Sequence, residues 1–253
     1  MKEYTIDSNN NKIRYHDFPG SDTSILFIHG LGCAGSFDYP EVAAQSELLN
    51  HRRILIDLLG SGFSDKPNDF GYTINDHVKY LYRFVQDLNI DKFVIFAHSL
   101  GGPIGIELAE KCKDKVETII LSEANLDKSF EGTTSYQFGT CNEDDFVNEM
   151  FYQVITENSE VNSMWTAPLS ISSPVAMSRI SQSAVSGSTP SWRDIFYSLK
   201  CKKTFIFGEN SLPDNDEKVL SEHGINIEVV KSAGHSMAWE NPKGLAVSIK
   251  NGI

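Results

Sequence analysis

The chain of 253 residues sets 22 Lys and Arg against 34 Asp and Glu, a formal net charge of −12, with 40% hydrophobic and 22% charged residues. That composition suits one globular α/β domain with a sizeable core and room for an inserted segment, and the absence of any Lys or Arg block that could track phosphates argues against nucleic acid as a partner. The opening MKEYTIDSNN has no apolar signal core and no apolar run nears the length of a membrane span, so a cytoplasmic location without membrane insertion is expected.

In chain order, residues 4–7 and 12–16 read as paired edge strands around an Asn-rich turn. A buried apolar strand over 24–28 ends in His29-Gly30-Leu31-Gly32, a small-residue loop in which His29 reads as a structural, hydrogen-bonding histidine. The next strand, 54–58, leads into Gly60-Ser61-Gly62-Phe63-Ser64-Asp65-Lys66-Pro67. Its glycines mimic a phosphate loop, but the Gly-Lys-Ser/Thr ending is missing and no helix follows at once, so nucleotide binding is rejected. Over 73–88, Ile74, Val78, Leu81 and Val85 recur at helical spacing, as in an amphipathic crossover helix.

The stretch FVIFAHSLGGPIG, residues 93–105, carries the strongest chemical signal. Phe93, Val94, Ile95 and Phe96 suit a strand buried on both faces, and helical character follows. Ser99 then falls on the turn between them, flanked by Ala97 and Gly101. Ala-x-Ser-x-Gly differs by one methyl from the Gly-x-Ser-x-Gly nucleophile elbow, where a strained serine tolerates only small neighbours. Gly102 and Gly105 let the helix press on the sheet, and Pro103 in its first turn has no N–H to leave unpaired.

Residues 116–121 form another buried strand, ending in Ser122-Glu123-Ala124-Asn125, with Glu123 on the edge where open α/β sheets gather ligands. Between 126 and 200 the strand–helix alternation lapses into short helical patterns, 143–157 among them, and loops rich in Ser, Thr and Gly. This segment is expected to form a lid over Ser99, with Phe130, Phe138, Phe151, Tyr152, Met164 and Trp165 as candidate pocket residues. Alternation resumes with a strand at 204–207, the loop GENSLPDND, a short helix to His223, a strand at 225–230, Gly234-His235, and a final helix from about Pro242. A histidine after the last strand, downstream of the serine, is where a general base belongs in the order nucleophile, acid, histidine. The scattered Cys33, Cys112, Cys141 and Cys201 make no Cys-x-x-Cys pair and read as reduced thiols rather than bridges or a zinc site.

His29-Gly30-Leu31-Gly32, the 57–67 turn, Ala97-His98-Ser99-Leu100-Gly101-Gly102 and Gly234-His235 stand in the order and spacing of the α/β-hydrolase superfamily, which the chain resembles from first strand to last helix. The resemblance implies an α/β-hydrolase fold: an eight-stranded, mostly parallel sheet with helices on both faces. The core would be 1–125 and 201–253, with a helical cap, 126–200, inserted after the sixth strand. It also implies catalysis without cofactor or metal, with Ser99 as nucleophile and His235 as base. Leu31 and Leu100 N–H would form the oxyanion hole, and a small-molecule acyl substrate would be the partner. Most relatives take the acid from a Gly-x-x-Asp turn after the strand at 204–207, but here that turn is Gly208-Glu209-Asn210-Ser211. Two acids remain. Glu123 is preferred, because some haloalkane dehalogenases use a glutamate at the end of the earlier strand, and Asp214, three residues beyond Ser211, is the alternative. Serine at the elbow sets the chain apart from dehalogenases and epoxide hydrolases, which attack with a carboxylate. Ester, thioester or amide hydrolysis is expected. Lyases, acyltransferases and ligand-binding signalling proteins on the same scaffold are the alternative.

Overall fold

The computed structural model describes residues 1–253. Strands β1 (Lys2–Thr5), β2 (Lys12–Phe18), β3 (Asp22–Ile28), β4 (His51–Asp57), β5 (Phe93–His98), β6 (Val116–Ser122), β7 (Lys202–Gly208) and β8 (Asn226–Val230) form one sheet in the order β1-β2-β4-β3-β5-β6-β7-β8. β1, β2 and β4 pair antiparallel, and every pair from β4 to β8 is parallel. Side chains of β5 alternate between two apolar layers. Phe93 and Ile95 join the larger layer, with Leu81 and Phe84, whereas Val94 and Phe96 join the smaller one, with Leu245 and Ile249. Burial on both faces is what an uninterrupted apolar run predicts for a central parallel strand.

Between β3 and β4 lie two short helices, α1 (Gly35–Asp38) and α2 (Pro40–Ala43), too brief to leave a periodic signature. Helix α3 (Ile74–Asp87) starts at a capping box, in which Thr73 Oγ1 accepts from Asp76 N–H and the Asp76 carboxylate accepts from Thr73 N–H. Helix α4 (Gly101–Lys111) returns from β5 to β6. The chain between β6 and β7 holds α5 (Thr134–Thr140), α6 (Glu143–Asp145), α7 (Phe151–Asn158), α8 (Ser163–Ser170), α9 (Pro174–Ser186) and α10 (Trp192–Ser198). After β7 come α11 (Asn215–Glu222), α12 (Met237–Glu240) and α13 (Pro242–Gly252).

Two expectations need adjusting. The first strand runs over Lys2–Thr5, because its pairing with β2 sets Lys2 opposite Tyr15 and Thr5 opposite Lys12, which leaves Asp7 to cap the turn by accepting from Asn9 and Asn11 N–H. The helix expected over 143–157 is interrupted by a π-helical turn, Phe146–Met150, between α6 and α7. No helix is long and apolar enough to cross a membrane.

Candidate active site

Ser99 occupies the turn from β5 to α4 at φ +52°, the left-handed region that a residue with a side chain adopts only under constraint. Three backbone bonds supply the constraint: Ser99 N–H donates to Ser122 O at 3.0 Å, and Ser99 O accepts from Gly102 N–H at 2.9 Å and Asn125 N–H at 3.1 Å. A Cβ on Gly101 would come within 2.5 Å of His29 O, so only glycine fits there. One on Gly105 would meet Ala97 Cβ at 2.8 Å. The methyl that Ala97 adds to the elbow is therefore accommodated by the missing side chain of Gly105, one turn into the helix.

His235 lies on the loop between β8 and α12, its side chain 57% exposed. Its Nε2 is 3.1 Å from Ser99 Oγ, and its Nδ1 faces Glu123 Oε2 at 3.7 Å. The first is a hydrogen bond. The second is an ion-pair distance, longer than a hydrogen bond. Glu123 follows β6 at φ +47°; its N–H donates to Ile206 O and its Oε1 accepts from Gly208 N–H at 2.8 Å. Burial pushes the Glu123 carboxyl up, but the His235 imidazole, the Gly208 N–H and the Ser211 hydroxyl outweigh it and hold the carboxyl below its ordinary value. Ser211, at the place where the resemblance would put an aspartate, thus helps to hold the Glu123 carboxyl low. Asp214 is not brought to His235: it is the N-cap of α11, where its Oδ1 accepts from Asp216 N–H at 2.7 Å.

Leu31 and Leu100 N–H donate to no acceptor within the chain, and both residues line the cavity that opens beside Ser99. His29 is buried, with Nε2 accepting from Leu58 N–H at 3.0 Å, so the ring proton sits on Nδ1 and is donated to Gly30 O at 2.8 Å. The expected structural role of His29 fits that arrangement. The cavity has a volume of about 600 Å³. Of the six apolar residues expected to line it, Phe130, Met164 and Trp165 do so. Phe138 and Phe151 instead pack into the large core beside Phe146, and Tyr152 points to solvent, because helical rotation carries neighbouring positions to opposite faces.

Three lining residues, His98, Asp38 and Trp239, carried no signal of their own in the sequence. His98 Nδ1–H donates to Ser122 O at 3.0 Å, its ring lies 4.7 Å from that of His235, and burial followed by the charge of His235 holds it well below its ordinary pKa. It is thus a neutral neighbour of the His235 ring. Buried Asp38 accepts from Ala34 N–H at 2.9 Å and from Trp239 Nε1–H at 2.7 Å, so it ties the loop after β3 to the segment that follows His235. Burial raises its pKa despite these bonds. A lone acid in a short helix looks like surface until its partner, 201 residues away, is known.

A mostly parallel sheet with a strained serine after its central strand, a histidine on the serine and a glutamate behind the histidine is the frame of an α/β-hydrolase. A family model described as alpha/beta hydrolase fold matches residues 23–242, and the chain belongs to that family. Haloalkane dehalogenase 2 of Mycobacterium tuberculosis is 32% identical over 116 residues, 46% of this chain and 40% of that protein. The probable lysophospholipase BODYGUARD 4 of Arabidopsis thaliana is 36% identical over 99 residues, 39% of this chain and 24% of that protein. The matched stretch therefore spans less than half the length of either relative. Among solved structures, an esterase from Exiguobacterium antarcticum superposes with a TM-score of 0.82 at 16% identity, covering 99% of this chain and 98% of that one. An N-acyl homoserine lactonase superposes with a TM-score of 0.77 at 18% identity over 99% and 95%. At such identities the superpositions establish the fold alone.

Proposed function

We propose that the chain is a cofactor-independent serine hydrolase that cleaves a small ester, thioester or amide through an acyl-enzyme on Ser99. The observation that carries this reading is the line from Ser99 Oγ to His235 Nε2 at 3.1 Å and from His235 Nδ1 to Glu123 Oε2 at 3.7 Å, beside two N–H groups without internal acceptors. Ser99 Oγ attacks the substrate carbonyl while His235 takes its proton, and the carbonyl oxygen becomes an oxyanion held by Leu31 and Leu100 N–H. His235 then returns the proton to the leaving group, and a water, deprotonated by the same imidazole, releases the acid and restores Ser99. Glu123 keeps the Nδ1 proton in place and balances the imidazolium. Some haloalkane dehalogenases take their acid as a glutamate after the corresponding strand, but their reaction does not carry over, since the elbow here presents a hydroxyl in place of the carboxylate with which those enzymes attack.

Residues 126–200 act in this scheme as a cap inserted after β6. Support comes from α5–α10, which fill the chain between the paired strands β6 and β7, and from Phe130, Met164 and Trp165, which reach the cavity. The test is a panel of p-nitrophenyl esters of increasing acyl length together with a fluorophosphonate probe. Turnover, with the probe covalently attached to Ser99 and turnover lost in proportion, is the expected result. Ligand-induced thermal stabilisation without turnover or labelling would instead make the chain a small-molecule binder.

A further inference from the structure

Trp165, on α8, is half-buried above the loop that follows β3, and its Nε1–H donates to Leu31 O at 2.8 Å across 134 residues of sequence. No slack separates the two: a Cβ on Gly32, which sits at φ +70°, would come within 2.8 Å of Trp165 Nε1 and 2.9 Å of Leu169 Cδ1. On the opposite side, His29 Nδ1–H holds Gly30 O at 2.8 Å. Gly30 O and Leu31 N–H belong to one planar peptide unit, and Leu31 O belongs to the next. The two carbonyls that flank Leu31 are thus gripped, one from the core and one from the 126–200 segment, while the N–H between them stays free for a substrate oxygen.

We propose that Trp165 is a positioning residue for the oxyanion hole, through which the helical segment sets the direction of Leu31 N–H and so couples its own docking to catalysis. The proposal rests on the serine-hydrolase reading given above. His29 Nδ1–H and, across the turn, Cys33 N–H at 3.3 Å both hold Gly30 O; with Trp165 withdrawn, Leu31 O loses its one hydrogen bond, the peptide after Leu31 is freer to rotate, and a donor displaced by a fraction of an ångström loses much of its hold on a developing oxyanion. Because the indole N–H is spent on the chain's own Leu31 O, and Trp165→Phe keeps a ring at the cavity wall, loss of that bond should appear in the transition state rather than in ground-state binding.

The test is Trp165→Phe, which keeps a ring over Gly32 and removes the N–H, read by kcat and KM on a p-nitrophenyl ester and by the affinity of phenylboronic acid. The boronic acid reports the hole directly: Ser99 Oγ bonds to boron, its proton passes to His235, and the boron becomes tetrahedral with the negative charge where an oxyanion would form. Expected is a loss on the order of tenfold or more in both kcat and boronate affinity, with KM little changed. In the 15N-labelled wild type, the Trp165 indole N–H should exchange slowly, and its resonance should move when boronate binds. This second reading stands even where Trp165→Phe folds poorly. Wild-type kcat and boronate affinity in Trp165→Phe, a change confined to KM, or an indole N–H that exchanges like a free one would each overturn the proposal. Ser99→Ala measured in parallel separates the two readings. Boronate affinity retained in Ser99→Ala removes the serine-hydrolase reading and this one with it, whereas affinity lost there but unchanged in Trp165→Phe removes this one alone.

Discussion

The turn that carries Ser99 and the loop that carries His235 meet at 3.1 Å but are held by different means. Around Ser99 the restraints are backbone bonds and close packing: three main-chain hydrogen bonds, a glycine pressed against His29 O, and another against Ala97. The His235 loop has one such tie, Asn210 N–H to Ala233 O at 2.8 Å with Gly208 packed close against it, and otherwise hangs on side chains. Ser232 N–H donates to Glu209, Gly234 N–H to Glu240, Asn241 Nδ2 to Lys231 O, and Trp239 Nε1 to Asp38. Side chains can be exchanged one at a time, whereas the backbone frame of the elbow yields only to changes in volume. Ser99 is thus placed by the fold itself, and His235 mostly by a set of separable polar contacts, of which Glu123 faces the imidazole directly.

The largest effect breaks the comparison at its rigid end. Ser99→Ala deletes one hydroxyl and leaves every restraint on the turn, so turnover should fall by about a millionfold, as for nucleophiles that act as a unit with their base. The midpoint of thermal unfolding should stay within a few degrees. A variant that keeps a tenth of wild-type activity would remove Ser99 from the nucleophile's role.

The next effect probes the separable side. Glu123→Gln keeps an acceptor for Gly208 N–H but gives up the charge facing His235 Nδ1, and turnover should drop by roughly ten-thousandfold through the wrong tautomer. Asp214→Ala removes an N-cap remote from the imidazole. It should leave kcat unchanged and cost about 1 kcal/mol in unfolding free energy. If Asp214→Ala collapsed activity and Glu123→Gln did not, the acid would be the wrong one.

What could be read along the chain follows the same division. Ser99, Ala97, Gly101 and Gly105 are neighbours in sequence, and the apolar run before them fits only a buried strand, so the elbow is written locally. Glu123 was visible as a carboxylate at a strand end, but its choice over Asp214 depends on where the loops after β6 and β7 meet, which spacing does not encode. The contacts of Asp38 with Trp239 and of Trp165 with Leu31 join segments 201 and 134 residues apart. No local pattern marks them. In the helical segment, Phe138 and Phe151 were indistinguishable from Phe130 by type, and only their helical rotation, which for Phe151 follows directly on the π turn at Phe146–Met150, sends them into the core.

Packing at the elbow offers a smaller effect that sharpens the comparison. Gly105→Ala places a Cβ 2.8 Å from Ala97 Cβ and 3.2 Å from Ile95 Cγ2, between a strand and a helix that are both buried. Overpacking of this kind costs about 1–3 kcal/mol, against a gain of up to about 1 kcal/mol for replacing a helical glycine, so a net loss near 1 kcal/mol is expected. In an Ala97→Gly background the obstructing methyl is gone and the same change should stabilise. A double-mutant cycle by urea unfolding should therefore show a coupling of about 1–2 kcal/mol. Additivity between the two sites would mean that the elbow gives way more easily than its contacts imply.

The smallest expected effect is electrostatic and belongs to the His235 side. The Glu123 carboxyl titrates below its ordinary value of 4.5 in the folded chain, since burial is outweighed by His235, the Gly208 N–H and Ser211. A carboxyl with a depressed folded pKa binds its proton more tightly in the unfolded chain. Its contribution to stability is therefore complete above pH 4.5, shrinks as the unfolded form takes up its proton, and is gone once the pH has fallen through the lower folded value. Glu123→Gln has no such proton to bind. The stability difference between wild type and Glu123→Gln should thus close as the solution is acidified from about pH 5. Urea unfolding in parallel at steps of half a pH unit reads it. A difference that stayed level to pH 3, or that widened on acidification, would mean that the glutamate is not held in its charged form by the contacts seen here, and the imidazole would lack the fixed negative partner that its loop is built to meet.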